Sequence, residues 1–258
     1  MTPEAAVALL LGRTARASIR TLLAQTPVSR TWQVSVDDQL AVLRIDGPGA
    51  ARLGLNRQAE PGVLRVVAAR GLGPACLAAD PARGLLLTQW LPGVACTPAD
   101  LRQPALLAEA AALLQRVHAT PASGPVVDLE EAVGRYARAA GPAAGPAAEL
   151  LADATQAQLA ICLEADPEPL CLCHGDPTPP NLIRPGLRLI DWEYAGLNHP
   201  GFDRAGFSVG AGLTAVEGDS WLAAALSHPP DPDERRRHAA WEGFCRLLSE
   251  LWDAGRGP

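Results

Sequence analysis

The stretch from Cys171 to Gly196 reads CLCHGDPTPPNLIRPGLRLIDWEYAG, and its interpretation decides that of the whole chain. Asp176 and Asn181 stand five apart, with Pro179 and Pro180 between them. A helix does not run through two adjacent prolines, so this segment is a loop. A short apolar run, Pro169 to Cys173, precedes it. Asn181-Leu-Ile-Arg184, a Pro185-Gly186 turn and Leu187-Arg-Leu-Ile190 follow, and together they predict a β-hairpin. Asp191 leaves the end of the second strand, so three oxygen-bearing side chains are expected to converge.

That set suits phosphoryl transfer. A hard divalent ion such as Mg2+ takes one or two oxygens from protein and the rest from phosphate and water. The attacking hydroxyl needs a base within hydrogen-bond reach. The order His-x-Asp-x4-Asn followed by a second Asp is that of protein-kinase catalytic loops. Asp and Asn are also common turn residues, which explains each of them singly but not their spacing, the hairpin and the second Asp together.

The wording is more specific still. His174-Gly175-Asp176, Asn181-Leu182 and Leu189-Ile190-Asp191-Trp192-Glu193-Tyr194-Ala195-Gly196, with Gly201-Phe202-Asp203 downstream, resemble the aminoglycoside phosphotransferase/choline kinase superfamily. The Asp-Trp-Glu-Tyr-Ala-Gly string is most similar to its choline, ethanolamine and thiamine kinase branch. The resemblance implies Asp176 as catalytic base, Asn181 and Asp191 as Mg2+ ligands, and structural roles for His174 and for Asp203, which would brace the loop. It implies an α+β, two-lobed protein-kinase-like fold. Residues 1–92 would form a small β-sheet lobe covering the nucleotide, and residues 93–258 a larger, mainly helical lobe carrying catalysis and substrate binding.

Composition bounds the alternatives. The chain has 258 residues, 48% of them apolar, enough for a sizeable core. The net charge is −6 and no basic run exceeds Arg235-Arg236-Arg237, which argues against a nucleic-acid partner. There is no lysine, which excludes a Walker-type phosphate loop and the lysine that protein kinases carry on their third strand. The six cysteines are scattered, with no secretory signal before them and no apolar run long enough to span a bilayer. A cytoplasmic protein with reduced thiols and no membrane partner is expected. Cys171-x-Cys173-His174 suggests zinc, but no second pair follows at finger spacing, and packing is the reading adopted.

Along the chain, residues 4 to 24 favour one helix, ended by Pro27. Arg30 to Val36 and Leu40 to Ile45 predict a hairpin across a polar Asp37-Asp38-Gln39 turn. The resembled family has a Gly- and Asn-rich phosphate loop beside this hairpin; here the segment is Thr26-Pro27-Val28-Ser29. Ser29 and Thr31 would offer hydroxyl and backbone donors to ATP, though a Cβ holds the backbone further from phosphate than glycine does. Arg44 stands where the family places its phosphate-binding basic residue, and Arg forks well onto phosphate oxygens. The other reading of Arg44 is a solvent-facing residue on an edge strand. Glu60, in Asn56-Arg57-Gln58-Ala59-Glu60, is the expected partner of Arg44, with Pro61 tolerated in the first turn of a helix from about residue 61 to 70. Main-chain atoms from Gln89 to Leu91 match the family's adenine-holding hinge, or else a plain strand end.

Leu106, Leu107, Ala110, Leu113, Leu114 and Val117 form a helical stripe ending at His118, a packed structural histidine. A further helix is expected over 150 to 164, with loops at 121–128 and 141–146. Helical segments around 221–227 and 233–254 follow. The resembled branch shapes its alcohol site with C-terminal aromatics and acids, and aromatic faces attract quaternary ammonium. Glu193, Trp221, Trp241 and Trp252 are therefore candidates for a cationic small-molecule alcohol, the other reading of the tryptophans being core. A nucleotide-binding pseudokinase and an aminoglycoside phosphotransferase are the alternatives to an amino-alcohol or thiamine kinase.

Overall fold

Apolar residues recur at every second position in β2 (Ser29–Val36) from Trp32 and in β3 (Gln39–Asp46) from Ala41, and that period builds the first sheet. Trp32 and Val34 face the same core as Ala41, Leu43 and Ile45. Asp37 and Asp38 join the strands with φ of 45° and 64°, the left-handed conformation of a two-residue hairpin turn, which Asp tolerates. Val36 then pairs with Gln39 and Thr31 with Arg44.

The computed structural model describes residues 1–12, 16–26, 28–53, 55, 57–121, 124–140 and 145–256. The chain divides into two units, Met1–Pro92 and Gly93–Pro258. Among the described residues no helix is long and apolar enough to cross a membrane. All six cysteines are free thiols.

The N-terminal unit holds a five-stranded antiparallel sheet of order β1-β2-β3-β5-β4, with β1 Ala17–Gln25, β4 Cys76–Asp80 and β5 Leu85–Gln89. Helix α1 (Pro3–Leu11) starts on the Thr2 hydroxyl, which accepts from Ala5 N, and buries Ala6 and Val7 in the sheet core. The single helix expected over residues 4 to 24 is corrected here: it stops at Leu11, and Ala17–Gln25 is a strand. Ala, Leu and Arg favour helix only weakly, and pairing with β2 overrides that preference. β1 is an edge strand exposed on both faces, so it carries no alternation to announce itself. Pro27, expected to end the helix, lies outside the described residues, as does Asn56. Short α2 (Pro48–Leu53) leads to α3 (Glu60–Ala68), which has proline in its first turn.

The C-terminal unit is mainly helical. It contains α4 (Pro98–Leu101), α5 (Pro104–His118), α6 (Leu129–Ala140), α7 (Gly145–Ala165), α8 (Pro200–Ala211), α9 (Ala215–Leu226) and α10 (Pro232–Arg256). Helix α10 packs on α6, α7 and α8, and α5 packs on α9. Two small sheets lie among the helices. β6 (Val94–Ala95), β8 (Leu182–Arg184) and β9 (Arg188–Leu189) form one, and β7 (Cys171–Cys173) with β10 (Gly196–Asn198) forms the other. Most of the expected loop at 141–146 is outside the described residues, as are 122 and 123.

Helices α6 and α8 are not predicted by the sequence pattern. Helix α8 is glycine-rich for a reason of space. A Cβ on Gly210 would come within 2.6 Å of the Thr178 side chain, so the helix lets the loop before β8 lie against it. That close approach conceals the helix from propensity, because interior glycine is unfavourable by about 1 kcal/mol.

Candidate active site

The loop between β7 and β8 is held from below by one carboxylate. Asp203, in the first turn of α8 and completely buried, accepts from His174 N at 2.8 Å through Oδ2 and from Gly175 N at 2.8 Å through Oδ1. His118, at the end of α5, places Nε2 3.1 Å from Asp203 Oδ2. Burial opposes ionisation of Asp203, but the bond and charge of His118 and the main-chain donors outweigh it and hold its pKa below the usual carboxylate range. Asp203 thus holds two main-chain donors of the loop, and His118 acts on the same carboxylate.

His174 is enclosed in the core. Its Nε2 lies 2.9 Å from Ile190 O, its Nδ1 accepts from Asp176 N at 3.2 Å, and its ring meets Trp192 edge-on at 4.6 Å. Burial pushes its pKa down, so the neutral ring is favoured. Gly175, at φ +85°, has no room for a Cβ, which would meet the Tyr194 carbonyl oxygen at 2.7 Å.

At the top of the loop Asn181 Nδ2 donates to the Asp176 carbonyl at 2.9 Å and to Asp176 Oδ2 at 2.8 Å. With Nδ2 so engaged, Asn181 Oδ1 is the atom left for a cation. A 3-10 turn over Pro179–Asn181 aims that side chain, and Ile190 N bonds Asn181 O at 2.9 Å, tying the two strands of the hairpin at its base. Asp191 follows at once, exposed and at φ 64°, a left-handed conformation of the kind that concentrates at functional sites. Two hard oxygen groups, Asn181 Oδ1 and the Asp191 carboxylate, fit a divalent ion such as Mg2+. Burial raises the pKa of Asp176; His174, Thr178 and Asn181 oppose that rise, and the negative Glu193 adds to it.

The aromatic set beside the loop is only partly the expected one. Trp252 is half-buried and meets Tyr136 edge-on at 5.1 Å and Tyr194 at 6.3 Å. Tyr136, on α6, has its pKa pushed up to about 12 by burial first, then by Glu193 and Asp176 against the opposing Arg135. Tyr194 is raised by burial, by Tyr136, and by the negative charges of Glu193, Asp176 and Asp191. Neither tyrosine was singled out from sequence. Tyr136 is the last of the stripe Leu129, Ala132, Val133, Tyr136, spaced as one helix face, and that was the available signal. Trp241 and Trp221 are corrected to core residues. Trp241 is 1% exposed, donates to Asp166 Oδ2 at 2.8 Å and packs on Phe202 and Phe244. Trp221 stacks on Phe207 at 3.8 Å and donates to Arg204 O.

In the N-terminal unit Arg44 is buried on β3, inside the sheet, which removes the solvent-facing alternative. Its Nη1 and Nη2 fork onto Glu60 Oε1 and Oε2 at 2.8 and 2.5 Å. Asp46 lies 3.5 Å from Arg44 Nε and accepts from Arg57 Nε at 2.9 Å. Ser29 does not keep the backbone donor expected of it. The Thr26 hydroxyl accepts from Ser29 N at 3.1 Å and from Val28 N at 3.2 Å, closing the turn on itself. Thr31 lies in the ladder between Ala24 and Arg44. Gln89 is a sheet residue whose N–H bonds Ala75 O at 2.9 Å, and Trp90 N bonds Leu40 O at 3.3 Å. Of the expected adenine-holding stretch, Leu91 follows these sheet bonds and is buried.

The model of the phosphotransferase enzyme family matches residues 27–252. Among solved structures, the chain is similar to a choline/ethanolamine kinase family protein from Mesorhizobium loti at 26% identity and TM-score 0.76, covering 96% of this chain and 84% of that one. It is similar in fold to LicA, a choline kinase from Streptococcus pneumoniae solved in complex with AMP, at 19% identity and TM-score 0.78, covering 98% and 88%. A thermostable mutant of the aminoglycoside phosphotransferase APH(4)-Ia matches at 18% identity and TM-score 0.63, covering 97% and 92%. Among curated proteins no significant match was found.

Proposed function

Since the chain belongs to the phosphotransferase enzyme family, we propose that it transfers a phosphoryl group from ATP to the hydroxyl of a small cationic alcohol, an amino alcohol or a thiamine-like molecule. One observation carries the reading. The Asp176–Asn181 pair, on a loop clamped by Asp203, stands beside a Tyr136–Tyr194–Trp252 aromatic group and Glu193.

Asp176 Oδ2, held by Asn181, accepts the hydroxyl proton or orients that hydroxyl for attack. Its raised pKa makes it a better base than an ordinary Asp. Asn181 Oδ1 and Asp191 would hold Mg2+, which supplies charge neutralisation on the nucleotide phosphates. Arg44, fixed by Glu60, serves the phosphates as a permanent cation. The Ser29 and Thr31 hydroxyls and the main chain at Leu91 serve the nucleotide. The aromatic faces and Glu193 receive the cationic end of the alcohol.

The test is coupled ATP consumption over choline, ethanolamine, thiamine, amino sugars and aminoglycosides, with Asp176→Asn beside the wild type. Mg2+-dependent turnover of at least one cationic alcohol is expected, falling by more than about a hundredfold in the variant. Equal rates in both proteins would remove Asp176 from its role, and turnover confined to aminoglycosides would reassign the acceptor. A second reading, nucleotide binding without turnover, is favoured by the Thr26-closed turn, which takes two main-chain donors away from phosphate.

A further inference from the structure

Next to the loop, on β7 and the end of α5, lies a cluster that the proposed phosphoryl transfer does not use. Cys171 and Cys173 stand two apart on β7, so their side chains share one face of the strand. Their Sγ atoms are 3.9 Å apart. Helix α5 packs against β7 and delivers His118 to the same face. One ring nitrogen of His118 and the two sulfurs all lie within 4.8 Å of one another.

The spacing distinguishes between three fates for such a pair. Two thiolates at about 2.3 Å from a tetrahedral ion lie about 3.8 Å apart, close to the separation found. A disulfide needs the sulfurs at about 2.05 Å, a large movement for residues fixed in one short strand. Simple packing accounts for Cys173, which is buried with its Sγ 3.5 Å from the carbonyls of Asn198 and His199. It does not account for a half-exposed Cys171 or for an imidazole meeting both sulfurs.

We propose that His118, Cys171 and Cys173 form a binding site for one thiophilic divalent cation of the zinc type. Binding displaces a proton from each thiol, and two sulfurs and one ring nitrogen become ligands, leaving a fourth position for water or another donor. Ligation through Nδ1 leaves the His118 Nε2–Asp203 bond in place, the carboxylate–histidine–metal arrangement that orients such ligands elsewhere. The same Asp203 holds the backbone N–H groups of His174 and Gly175, so the ion sits one hydrogen bond from the clamp on the catalytic loop. The site is independent of the identity of the alcohol, and its test does not read activity.

The experiment uses the full chain, reduced, stripped of metal and kept anaerobic. It is titrated with Cd2+ alone, and then with Zn2+ in competition, while thiolate-to-metal absorption is followed. Expected is a band that saturates at one ion per chain and is displaced by Zn2+, with Cys171→Ser weakening the affinity at least about tenfold. Cys171 is half-exposed, so that variant is expected to fold as the wild type does, checked by circular dichroism. Slower alkylation of Cys171 in the presence of Zn2+, read by mass spectrometry, locates the ion without any substitution. No band at one equivalent would overturn the proposal, and so would a band unchanged in Cys171→Ser or protection confined to the other cysteines.

Discussion

Each of the two units buries a cluster of acids, and the two clusters are neutralised in different ways. In the N-terminal unit Glu60 and Asp46 are met by Arg44 and Arg57, side chain to side chain. In the C-terminal unit Asp203 is met by main-chain N–H groups and one histidine, and the Asp176 carboxylate by the Asn181 amide. Arginine stays charged at any pH a protein meets, so the first cluster is a fixed electrostatic anchor. The second is built from dipoles and titratable rings, which lets two aspartates that both feel His174 carry opposite pKa shifts. Asp203 is lowered, and Asp176, the proposed base, is raised.

The largest effect should come from Asp203→Ala. It orphans two main-chain donors and His118 at once, and about 3–5 kcal/mol of unfolding free energy should go with it. Chemical denaturation followed by tryptophan fluorescence measures this, and a loss under about 1 kcal/mol would refute the clamp. The sign for the acid itself follows from its lowered folded pKa. The stability it contributes is present above the unfolded value and is lost as pH falls through the folded one, so acid unfolding should begin earlier when His118 is replaced. Glu60→Gln should cost less, about 2 kcal/mol, because Arg44 and Arg57 keep Asp46. That loss should be the same from pH 6 to pH 9, to within about 0.5 kcal/mol. A clear pH dependence there would erase the contrast between the units.

The smallest effect is a shift in a profile. The acid limb of kcat/KM should lie above the ordinary Asp value of about 3.9, because the base must be ionised and its pKa is raised. Glu193→Gln removes a like charge, so Asp176 would ionise at lower pH and the limb should move down. A limb that moves up or stays put separates Glu193 from the base.

The loop was legible because Asp176, Asn181 and Asp191 sit among prolines and turn residues that leave the backbone little choice. The Arg44–Glu60 pair was legible through resemblance, and Pro61 proved harmless where it stands, in the first turn of α3. What stayed hidden was hidden for physical reasons. β1 is exposed on both faces and made of helix-forming residues, so neither period nor propensity marks it. Helix α8 is masked by the glycines that let the loop approach it. Trp241 shares helical spacing with Trp252 and Trp221 stands on the helix before, and sequence alone cannot say which indole reaches a pocket; the N–H partners of Trp221 and Trp241, Arg204 O and Asp166, decide it. The Thr26-closed turn depends on a hydroxyl rotamer that no sequence pattern states.

The tight seat of Thr178 against Gly210 has an evolutionary corollary. With no slack between helix and loop, drift at that seam would displace the base itself, so variants there should be purged. The aromatic trio is carried by α6, α10 and the segment after Asp191. Two of its three rings therefore stand on helices other than the loop that carries Asp176, and a lineage built this way can change those rings one at a time while the Asp176–Asn181 loop keeps its sequence.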